Sequence, residues 1–457
     1  MSDEKPEGTS TAIDLPDVPI ATPIVELPDP PMPEVIPLDA VIPQAHWHVA
    51  KPVALEKKVE VMSTAIDLPD VPTPPPPSVP PPPAPPPSTG IDLPDMPAPP
   101  PRKKEGQGRE DLFKSAVRLS FVGAGQGGGR IAETFYQLGY RKVCAINTTN
   151  QDLESLTLKH KLVIGKDAGG AGKDPQAGAK AAQESFEDIV DILKRSWGDS
   201  PEHMFICVGG GGGSGTGSWP VILKAIQVYA KISNIEGPVS KHLGMILTLP
   251  KRSEGPRVQK NAQQALEAAT KLVESNELST LIVVDNAKIH ELFPREPVKT
   301  FWSVANNSFA RVFHTFNLLA AQNSEHATFD RADFRSVLRS GLILFGMTSV
   351  DKWEGQDDIS HAIRQNLKGS LLGEGFDFSK STMSAAIVVA HNDVLESIPQ
   401  ENIDYAFHAL TRALGNEDLT LHTGIYEGRQ PGMRVFTMVG GLKSPTERLG
   451  ELQKLAK

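Results

Sequence analysis

Cysteines and long apolar runs are scarce in this chain of 457 residues. The two cysteines, Cys144 and Cys207, lie in apolar stretches, so no disulfide framework is possible and buried thiols in a reducing compartment are expected. The sequence has no apolar leader and no run of about 18 apolar residues, so neither a secretory signal nor a transmembrane segment is predicted. These absences predict a cytoplasmic protein.

Basic charge is also in deficit, with 46 Lys and Arg against 55 Asp and Glu and a net charge of −9. This balance argues against a nonspecific nucleic-acid surface, and no direct nucleic-acid binding is expected. The 12 histidines are scattered, and no spacing among them predicts a metal site. A glycine-rich loop ending in Gly-Lys-Ser or Gly-Lys-Thr is missing too, which excludes the common P-loop.

Proline is concentrated at one end, with 29 of the 40 prolines within the first 101 residues. Such a composition predicts a disordered tail over residues 1–110. The tail contains IDLPD peptides, because STAIDLPDVP at Ser10–Pro19 recurs at Ser63–Pro72 and a near copy lies at Ser88–Pro97. Two apolar anchors flanked by acids suit docking to an unknown protein partner, with avidity from repetition. The alternative is a solvated spacer with duplicated segments.

After the tail, short apolar strands alternate with helices. Strands are predicted at Val117–Gly125, Lys142–Thr149, 203–210, 242–250 and 280–286, with one long helix at Ala177–Trp197 among those between them. This order predicts an α/β fold with a doubly wound, mostly parallel sheet. A long helical stretch at 298–324 then leads to a second region with strands and helices of its own.

Two predicted strands run into glycine-rich segments, GAGQGGGR at Gly123–Arg130 and GGGGGSGTGS at Gly209–Ser218. The first fits the dinucleotide pattern of an oxidoreductase, which requires an acid after the next strand, but the chain has Asn147, Thr148 and Thr149 there. Two loops of free backbone N–H groups at one crevice suit a polyphosphate. The alternative is that these glycines only form tight turns.

The segment GGGGSGTGS resembles the signature loop of the tubulin/FtsZ superfamily, GTPases that polymerise into protofilaments. The resemblance covers nearly all of residues 117–442 and is closer to prokaryotic FtsZ-like proteins than to tubulins. It implies a GTP-binding domain at 111–310, a central helix, a smaller α+β activation domain at 311–443 and a C-terminal segment at 444–457. That segment is amphipathic and is expected to pack on the body or to contact a partner.

The resemblance implies that GTP or GDP and Mg²⁺ bind at loops matched position by position. Glu254 corresponds to the ribose ligand, with Arg257 as its neighbour, Asn286 to a guanine ligand, Phe301 to a stacking residue and Asn307 to a base ligand. The residues implied near phosphate or magnesium are Gly125, Gln126, Gly127, Gly128, Asn147, Thr148, Gln151, Ala171, Gly172, Lys173, Gly211, Gly212, Gly213, Ser214, Gly215, Thr216 and Gly217.

The segment TFDRADFRSV is similar to the family's Asn-x-Asp-x-x-Asp-x-Arg loop, which enters the nucleotide site of the next subunit. Asp330 and Asp333 are therefore the implied catalytic residues, with Arg335 kept and Thr328 in place of asparagine. Two carboxylates facing a γ-phosphate orient the attacking water. The same acids also have the spacing of a helix cap, with a helix beginning near Ala332.

The resemblance implies a self-associating, GTP-hydrolysing filament protein with a cytoskeletal role in cell division. A filament that positions plasmid or phage DNA remains an alternative, because the fold does not determine the cargo. A GTP-binding scaffold with little turnover is a second alternative, suggested by Thr328 and the long tail. FtsZ proteins usually end in a linker and a partner-binding peptide, whereas the linker-like segment and peptides lie at the N-terminus here.

Overall fold

Apolar runs that end in glycine or a polar residue become the strands of one twisted sheet. The computed structural model describes residues 110–166, 169–198, 201–368, 375–416 and 418–457. The predictions for the proline-rich tail and its repeats lie outside these residues. Within them, no helix has the length and apolar character needed to cross a membrane.

The strands are β1 (Leu119–Ala124), β2 (Val143–Asn147), β3 (His160–Val163), β4 (His203–Gly209), β5 (Leu243–Leu249), β6 (Thr280–Asp285), β7 (Gly341–Val350), β8 (Met383–Ala390), β9 (Thr420–Glu427) and β10 (Met433–Leu442). The helices are α1 (Gly125–Gln137), α2 (Asn150–Glu154), α3 (Pro175–Glu184), α4 (Phe186–Trp197), α5 (Ser214–Ile232), α6 (Pro256–Glu274), α7 (Asn286–Leu292), α8 (Val298–Leu319), α9 (Arg331–Leu338), α10 (Asp357–Lys368), α11 (Asn392–Leu395), α12 (Gln400–Leu414) and α13 (Thr446–Leu455).

The sheet has the order β3-β2-β1-β4-β5-β6-β7-β10-β8-β9. Pairing is parallel from β3 to β7, antiparallel on both sides of β10, and parallel again between β8 and β9. The strands that follow β1 are added on both sides of it, with β2 and β3 on one side and β4, β5 and β6 on the other. The boundary between β1 and β4 is therefore where a doubly wound sheet opens a crevice at the carboxyl ends of its strands. The predicted α/β fold with a mostly parallel sheet is confirmed.

An aromatic core holds the long helix α8 against the sheet. Phe313 of α8 packs edge-on to Phe205 of β4 and lies 5.6 Å from the ring of Phe345 of β7. Phe316, one turn later, contacts Phe436 of β10. Each fully buried aromatic ring contributes about 2–3 kcal/mol of hydrophobic free energy. Helix α8 is thereby fixed to strands from both the parallel and the antiparallel parts of the sheet.

Three details of the sequence prediction need correction. The helix predicted at Ala177–Trp197 is two helices, α3 and α4, because the backbone leaves helical geometry at Ser185, whose hydroxyl accepts a hydrogen bond from the Gly165 N–H. The segments read as loops are partly helical, since α1 begins at Gly125 and α5 at Ser214. Strand β9 was not predicted, because an edge strand with one paired side has a mixed apolar and polar pattern.

Candidate nucleotide-binding site

The two glycine-rich segments meet at the carboxyl ends of the neighbouring strands β1 and β4. Gly125 has a φ of +70°, and a Cβ atom there would lie 2.7 Å from the Gly215 nitrogen. A Cβ at Gly215 would in turn lie 2.5 Å from the Ala124 carbonyl oxygen, and one at Gly128 only 2.0 Å from that of Cys207. The ends of β1 and β4 therefore approach so closely that only glycine fits. The crevice is lined by backbone.

The glycines near the start of α5 also serve helix packing. A Cβ at Gly217 would lie 1.9 Å from the Pro175 carbonyl oxygen, where α3 crosses α5. Gly212, by contrast, is open, with its nearest atom 3.9 Å away. The Thr216 hydroxyl donates to the Gly210 carbonyl at 2.8 Å and closes the turn. The first backbone N–H groups of α5, which have no partner within the helix, follow this turn.

We call the space between the glycine-rich segments Gly123–Arg130 and Gly209–Ser218 the glycine cradle. Two hydroxyls and an acid join the loop after β2 to this cradle. The Thr148 Oγ1 and Ser214 Oγ atoms are 2.6 Å apart. The carboxylate of Asp152 accepts from the Gln126 amide through one oxygen and from the Asn147 amide through the other, both at 2.9 Å. Asp152 was not predicted, although its place one residue after Gln151 was visible in the sequence. It orients two predicted phosphate-loop residues.

The loop before α3 lies beside the cradle in a strained backbone conformation. Gly170, Gly172 and Lys173 have φ values of +86°, +53° and +62°, which for lysine is uncommon. A Cβ at Gly213 would lie 2.5 Å from the Asp174 nitrogen and 3.0 Å from the Cβ of Ala171, so this loop is in contact with the glycine run.

A buried amide holds the two loops together. The Asn261 side chain of α6 donates to the carbonyls of Lys173 at 3.1 Å and Gly211 at 3.2 Å. Asn261 was not predicted, since it is one of several polar residues in an amphipathic helix, and only the fold shows that it faces these loops. Its amide fixes the separation between the loop before α3 and the glycine run.

The predicted ribose ligand, Glu254, stabilises its own loop. One carboxylate oxygen accepts from the Lys251 N–H at 3.1 Å. Gln259, which was not predicted, donates to the Lys251 carbonyl at 2.7 Å and the Glu254 carbonyl at 3.0 Å. Arg257 is exposed and its guanidinium lies 3.8 Å from Asp174, which links this loop to the one before α3. Ribose and phosphate candidates are therefore adjacent.

The predicted base side is formed by α7 and α8. Asp285 caps α7 by accepting from the Ala287 N–H at 3.0 Å, and the buried Asn286 is the first residue of that helix. The Phe301 ring packs edge-on to His290 and Trp302, and the Lys251 ammonium lies 5.7 Å from its centroid. Phe301 is thereby next to the loop that carries Glu254.

The side chain of Asn307 forms its hydrogen bonds within helix α8 rather than with the loops described above. Its amide donates to the Ser303 carbonyl at 2.9 Å, and its carbonyl oxygen accepts from Arg311 at 3.3 Å. These partners lie on the same helix, α8. A role for Asn307 in base recognition stays a prediction.

The predicted helix cap at Asp330 is confirmed. Its carboxylate accepts from the N–H groups of Ala332 at 2.7 Å and Asp333 at 2.9 Å, while Asp333 accepts from the Asp330 N–H at 3.0 Å. The other oxygen of Asp333 lies 2.8 Å from the His422 ring nitrogen Nδ1. This reciprocal cap is worth about 1 kcal/mol. The two acids are held rigidly at the start of α9.

The acids lie at the opposite end of β4 from the glycine cradle. Arg331 and Arg335 of α9 both pair with Glu202, which immediately precedes β4. Strand β4 then spans seven residues and ends at Gly209, the first glycine of the run, about 20 Å away. Asp330 and Asp333 therefore cannot reach the glycine-rich segments of their own chain.

The remaining titratable groups near the crevice do not suggest chemistry of their own. Cys144 and Cys207 are fully buried, and burial raises the pKa of the Cys144 thiol to about 12, so it is not a nucleophile at neutral pH. Among the described residues, no group of three or more His, Cys, Asp or Glu side chains could hold a metal ion. The arrangement is suited to holding an anion with backbone and hydroxyl groups.

Comparison with known sequences agrees with this geometry. The sequence model described as "Tubulin/FtsZ family, GTPase domain" matches residues 118–294. The cell division protein FtsZ 1 of Pyrococcus furiosus is 30% identical over 294 residues, which are 63% of this chain and 72% of that protein. The cell division protein FtsZ of Methanothermobacter thermautotrophicus is 26% identical over 345 residues, covering 74% and 82% of the two chains.

Solved structures with the same fold include filament forms. A GTPγS-form protofilament of TubZ from Bacillus thuringiensis aligns with a TM-score of 0.66 at 19% identity, covering 75% of this chain and 92% of that one. CetZ2 of Haloferax volcanii, a GTPγS-bound protofilament, gives 0.61 at 21% identity with 74% and 98% covered. An empty FtsZ dimer from M. jannaschii gives 0.53 at 25% identity, with 72% and 92% covered.

Proposed function

Because the chain belongs to the tubulin/FtsZ family of GTPases, we propose that it binds GTP at the carboxyl ends of β1, β2, β4, β5 and β6 and hydrolyses it within a self-assembled filament. The proposed site is completed when a neighbouring subunit supplies Asp330 and Asp333. The cellular role we propose is a cytoskeletal one in cell division, the process named for the FtsZ relatives.

The observation that carries this proposal is the glycine-lined cradle between β1 and β4. A polyphosphate needs several N–H donors at once, and the two segments can come this close only because side chains are absent at Gly125, Gly128 and Gly215, where each would collide with facing backbone atoms. The hydroxyls of Thr148 and Ser214, 2.6 Å apart, add polar groups at the mouth. A dinucleotide oxidoreductase would use only the first of the two glycine segments.

The residues present also fit a magnesium ion bound together with the nucleotide. Mg²⁺ keeps several water ligands and is usually held by substrate phosphates and one or two protein oxygens. The hydroxyls of Thr148 and Ser214 are the candidate protein ligands. When bound, the ion would neutralise charge on the phosphates.

The position of the acids supports assembly as a condition for hydrolysis. Asp330 and Asp333 lie at the amino end of the sheet, beside Glu202, whereas the cradle is at the carboxyl end. Head-to-tail stacking of subunits brings one end of the sheet to the opposite end of the next subunit. The carboxylates would then orient and polarise the attacking water at the γ-phosphate.

A scaffold with little turnover is the second candidate. Both oxygens of Asp333 have partners within the chain, one in the cap and one at His422. Thr328, at the position of the family's asparagine, accepts from the Ser324 N–H at 3.2 Å and so stabilises its own loop. These contacts favour slow hydrolysis.

The deciding experiment measures GTP turnover per subunit against protein concentration, with light scattering recorded in parallel. Our proposal predicts that turnover rises together with scattering above a critical concentration. GTP binding with turnover near zero at every concentration would favour the scaffold. The absence of GTP binding would contradict both candidates.

Thr328→Asn tests whether the altered loop limits hydrolysis. We expect the turnover of assembled protein to rise several-fold, because the longer amide restores a polar reach that threonine lacks and lowers the activation barrier by about 1 kcal/mol. Thr328→Ser is the matched control, since it keeps the hydroxyl and should leave the rate near that of the parent chain. Equal rates for the asparagine and serine variants would remove Thr328 from the explanation.

A further inference from the structure

The C-terminal helix α13 inserts a charged side chain into the body of the protein. Arg448 is only 2% exposed, although it is a charged residue in a short amphipathic helix that also contains Glu, Gln and Lys. Helix α13 packs along α6, which begins directly after the loop that carries Glu254. A buried guanidinium requires several partners, because desolvation of an unpaired charge is costly.

Each nitrogen of the Arg448 guanidinium lies within 2.8 Å of an oxygen atom. The Nε atom forms an ion pair with a carboxylate oxygen of the buried Asp285 at 2.8 Å, although the angle is not that of a hydrogen bond. One terminal nitrogen donates to the Pro250 carbonyl at 2.7 Å, and the other donates to Glu451 at 2.8 Å. Arg448 therefore bridges the first residue after β5 and the last residue of β6.

Both bridged residues neighbour predicted nucleotide ligands. Pro250 opens the loop that leads to Glu254, the ribose candidate, and Asp285 directly precedes Asn286, the guanine candidate. Asp285 also caps α7, so its carboxylate sets the direction in which α7 leaves the sheet. We call the loop from Pro250 to Gly255, which carries Glu254, the ribose loop. Displacement of Arg448 would release this loop and α7 from the contact that they share.

A second set of ion pairs reinforces this contact at the surface. Glu451 of α13 pairs with Arg252 of the ribose loop, and Arg252 also pairs with Glu291 of α7. The ion pairs form one network in which acidic and basic side chains alternate, in the order Asp285, Arg448, Glu451, Arg252 and Glu291. The hydrogen bond that Arg252 donates to Glu451 raises the pKa of Arg252, which favours the charged guanidinium. The three elements α13, the ribose loop and α7 are thus joined twice.

We propose that Arg448 is a positioning residue for the ribose and guanine side of the nucleotide site, so that docking of α13 and occupancy of the site are coupled. This inference rests on the proposed function, since it requires a guanine nucleotide at these loops. By thermodynamic linkage, a nucleotide that orders the two loops also stabilises the docked helix, and undocking of the helix weakens nucleotide binding.

The first test is GDP binding to the full chain by calorimetry, at concentrations where sedimentation shows no assembly. Arg448→Met alone leaves Asp285 buried and unpaired, so the double variant Arg448→Met/Asp285→Asn is measured with it; asparagine keeps the cap of α7. We expect the dissociation constant to rise at least ten-fold in both. Lys454→Met, at an exposed position of the same helix, is the matched control and should stay within two-fold of the parent.

The readout that separates positioning from a general loss of structure is base discrimination. Inosine diphosphate lacks the 2-amino group of guanine, so a correctly placed base side favours GDP over it. Partial unfolding lowers the number of sites and leaves this preference unchanged, whereas misplaced loops move the ratio of the two dissociation constants toward one. An unchanged ratio together with unchanged GDP affinity in the folded double variant would overturn the inference.

Hydrogen exchange on the unaltered protein decides the question if neither variant folds. Addition of GDP should slow amide exchange in α13, which has no predicted contact with the nucleotide. Tight GDP binding with unchanged exchange in α13 would contradict the coupling and leave the proposed function intact. Failure of the unaltered protein to bind GDP would contradict the proposed function itself.

Discussion

The two ends of strand β4 are built from different residues, glycines at the carboxyl end and charged side chains at the amino end. At the carboxyl end, Gly209 leads into the start of α5, where side chains are absent and backbone atoms nearly touch. At the amino end, Glu202 forms ion pairs with Arg331 and Arg335, and Asp333 pairs with His422. One end is therefore determined by sterics, whereas the other is determined by charge.

This difference matches what each end would contact in the proposed function. A bound anion needs donors that are already fixed, and the closely packed backbone of the glycine end would supply them. The charged end neutralises itself within the chain and exposes its acids on a helix cap, as a surface that meets another subunit can do. Substitutions at the glycine end should therefore affect folding, and those at the charged end should affect turnover and pH dependence.

Gly217→Ala should have the largest effect. The new Cβ would lie 1.9 Å from the Pro175 carbonyl oxygen and 2.8 Å from the Ala179 nitrogen, so α3 and α5 must separate. We expect the free energy of unfolding to fall by about 3 kcal/mol, measured by urea denaturation. Gly212→Ala, at the open position of the same run, should change it by less than about 1 kcal/mol. Equal losses in the two variants would contradict the steric account.

Asp330→Asn should separate capping from catalysis at the charged end. Asparagine caps a helix about as well as aspartate, so the free energy of unfolding should change by less than about 0.5 kcal/mol. Loss of the carboxylate should lower GTP turnover of assembled protein about 100-fold. Asp330→Ala is the comparison, because it also removes the cap. Normal turnover in the asparagine variant would limit Asp330 to a structural role.

The charged end should also make stability depend on pH through His203, the first residue of β4. Burial, followed by the charges of Arg339 and His242, holds the pKa of His203 well below its usual value. The folded chain thus keeps His203 neutral while the unfolded chain binds a proton below pH 6.5. The free energy of unfolding therefore falls on acidification, by up to about 1.4 kcal/mol per pH unit from this residue.

His203→Gln tests this assignment, since glutamine can keep the contact with Thr280 and does not titrate. Urea denaturation at pH 5, 6 and 7 should show a shallower slope than in the parent chain. His361→Gln, at an exposed position of α10, should leave the slope unchanged. Matching slopes in the parent and His203→Gln would place the pH dependence elsewhere.

Local patterns predicted the strands that lead into the two glycine-rich segments and the helix cap after them. The strand ends at Ala124 and Gly209 and the cap at Asp330 depend on neighbouring residues, so their signals lie within a few positions of the sequence. The break at Ser185 was missed because the apolar spacing continues through it. The bridge from Asp152 to Gln126 and Asn147 joins residues from two loops, and spacing alone does not indicate it.

The sequence by itself determined that strands would end in glycine at two adjacent loops, because glycine is required wherever backbones meet at contact distance. Only the tertiary structure decided that Asn261 would tie two of those loops together and that Arg448 would be buried against Asp285. Each of these contacts joins residues far apart in the chain. A polar residue on an amphipathic helix has the same local pattern whether it faces solvent or a buried partner, so its role depends on which element packs against it.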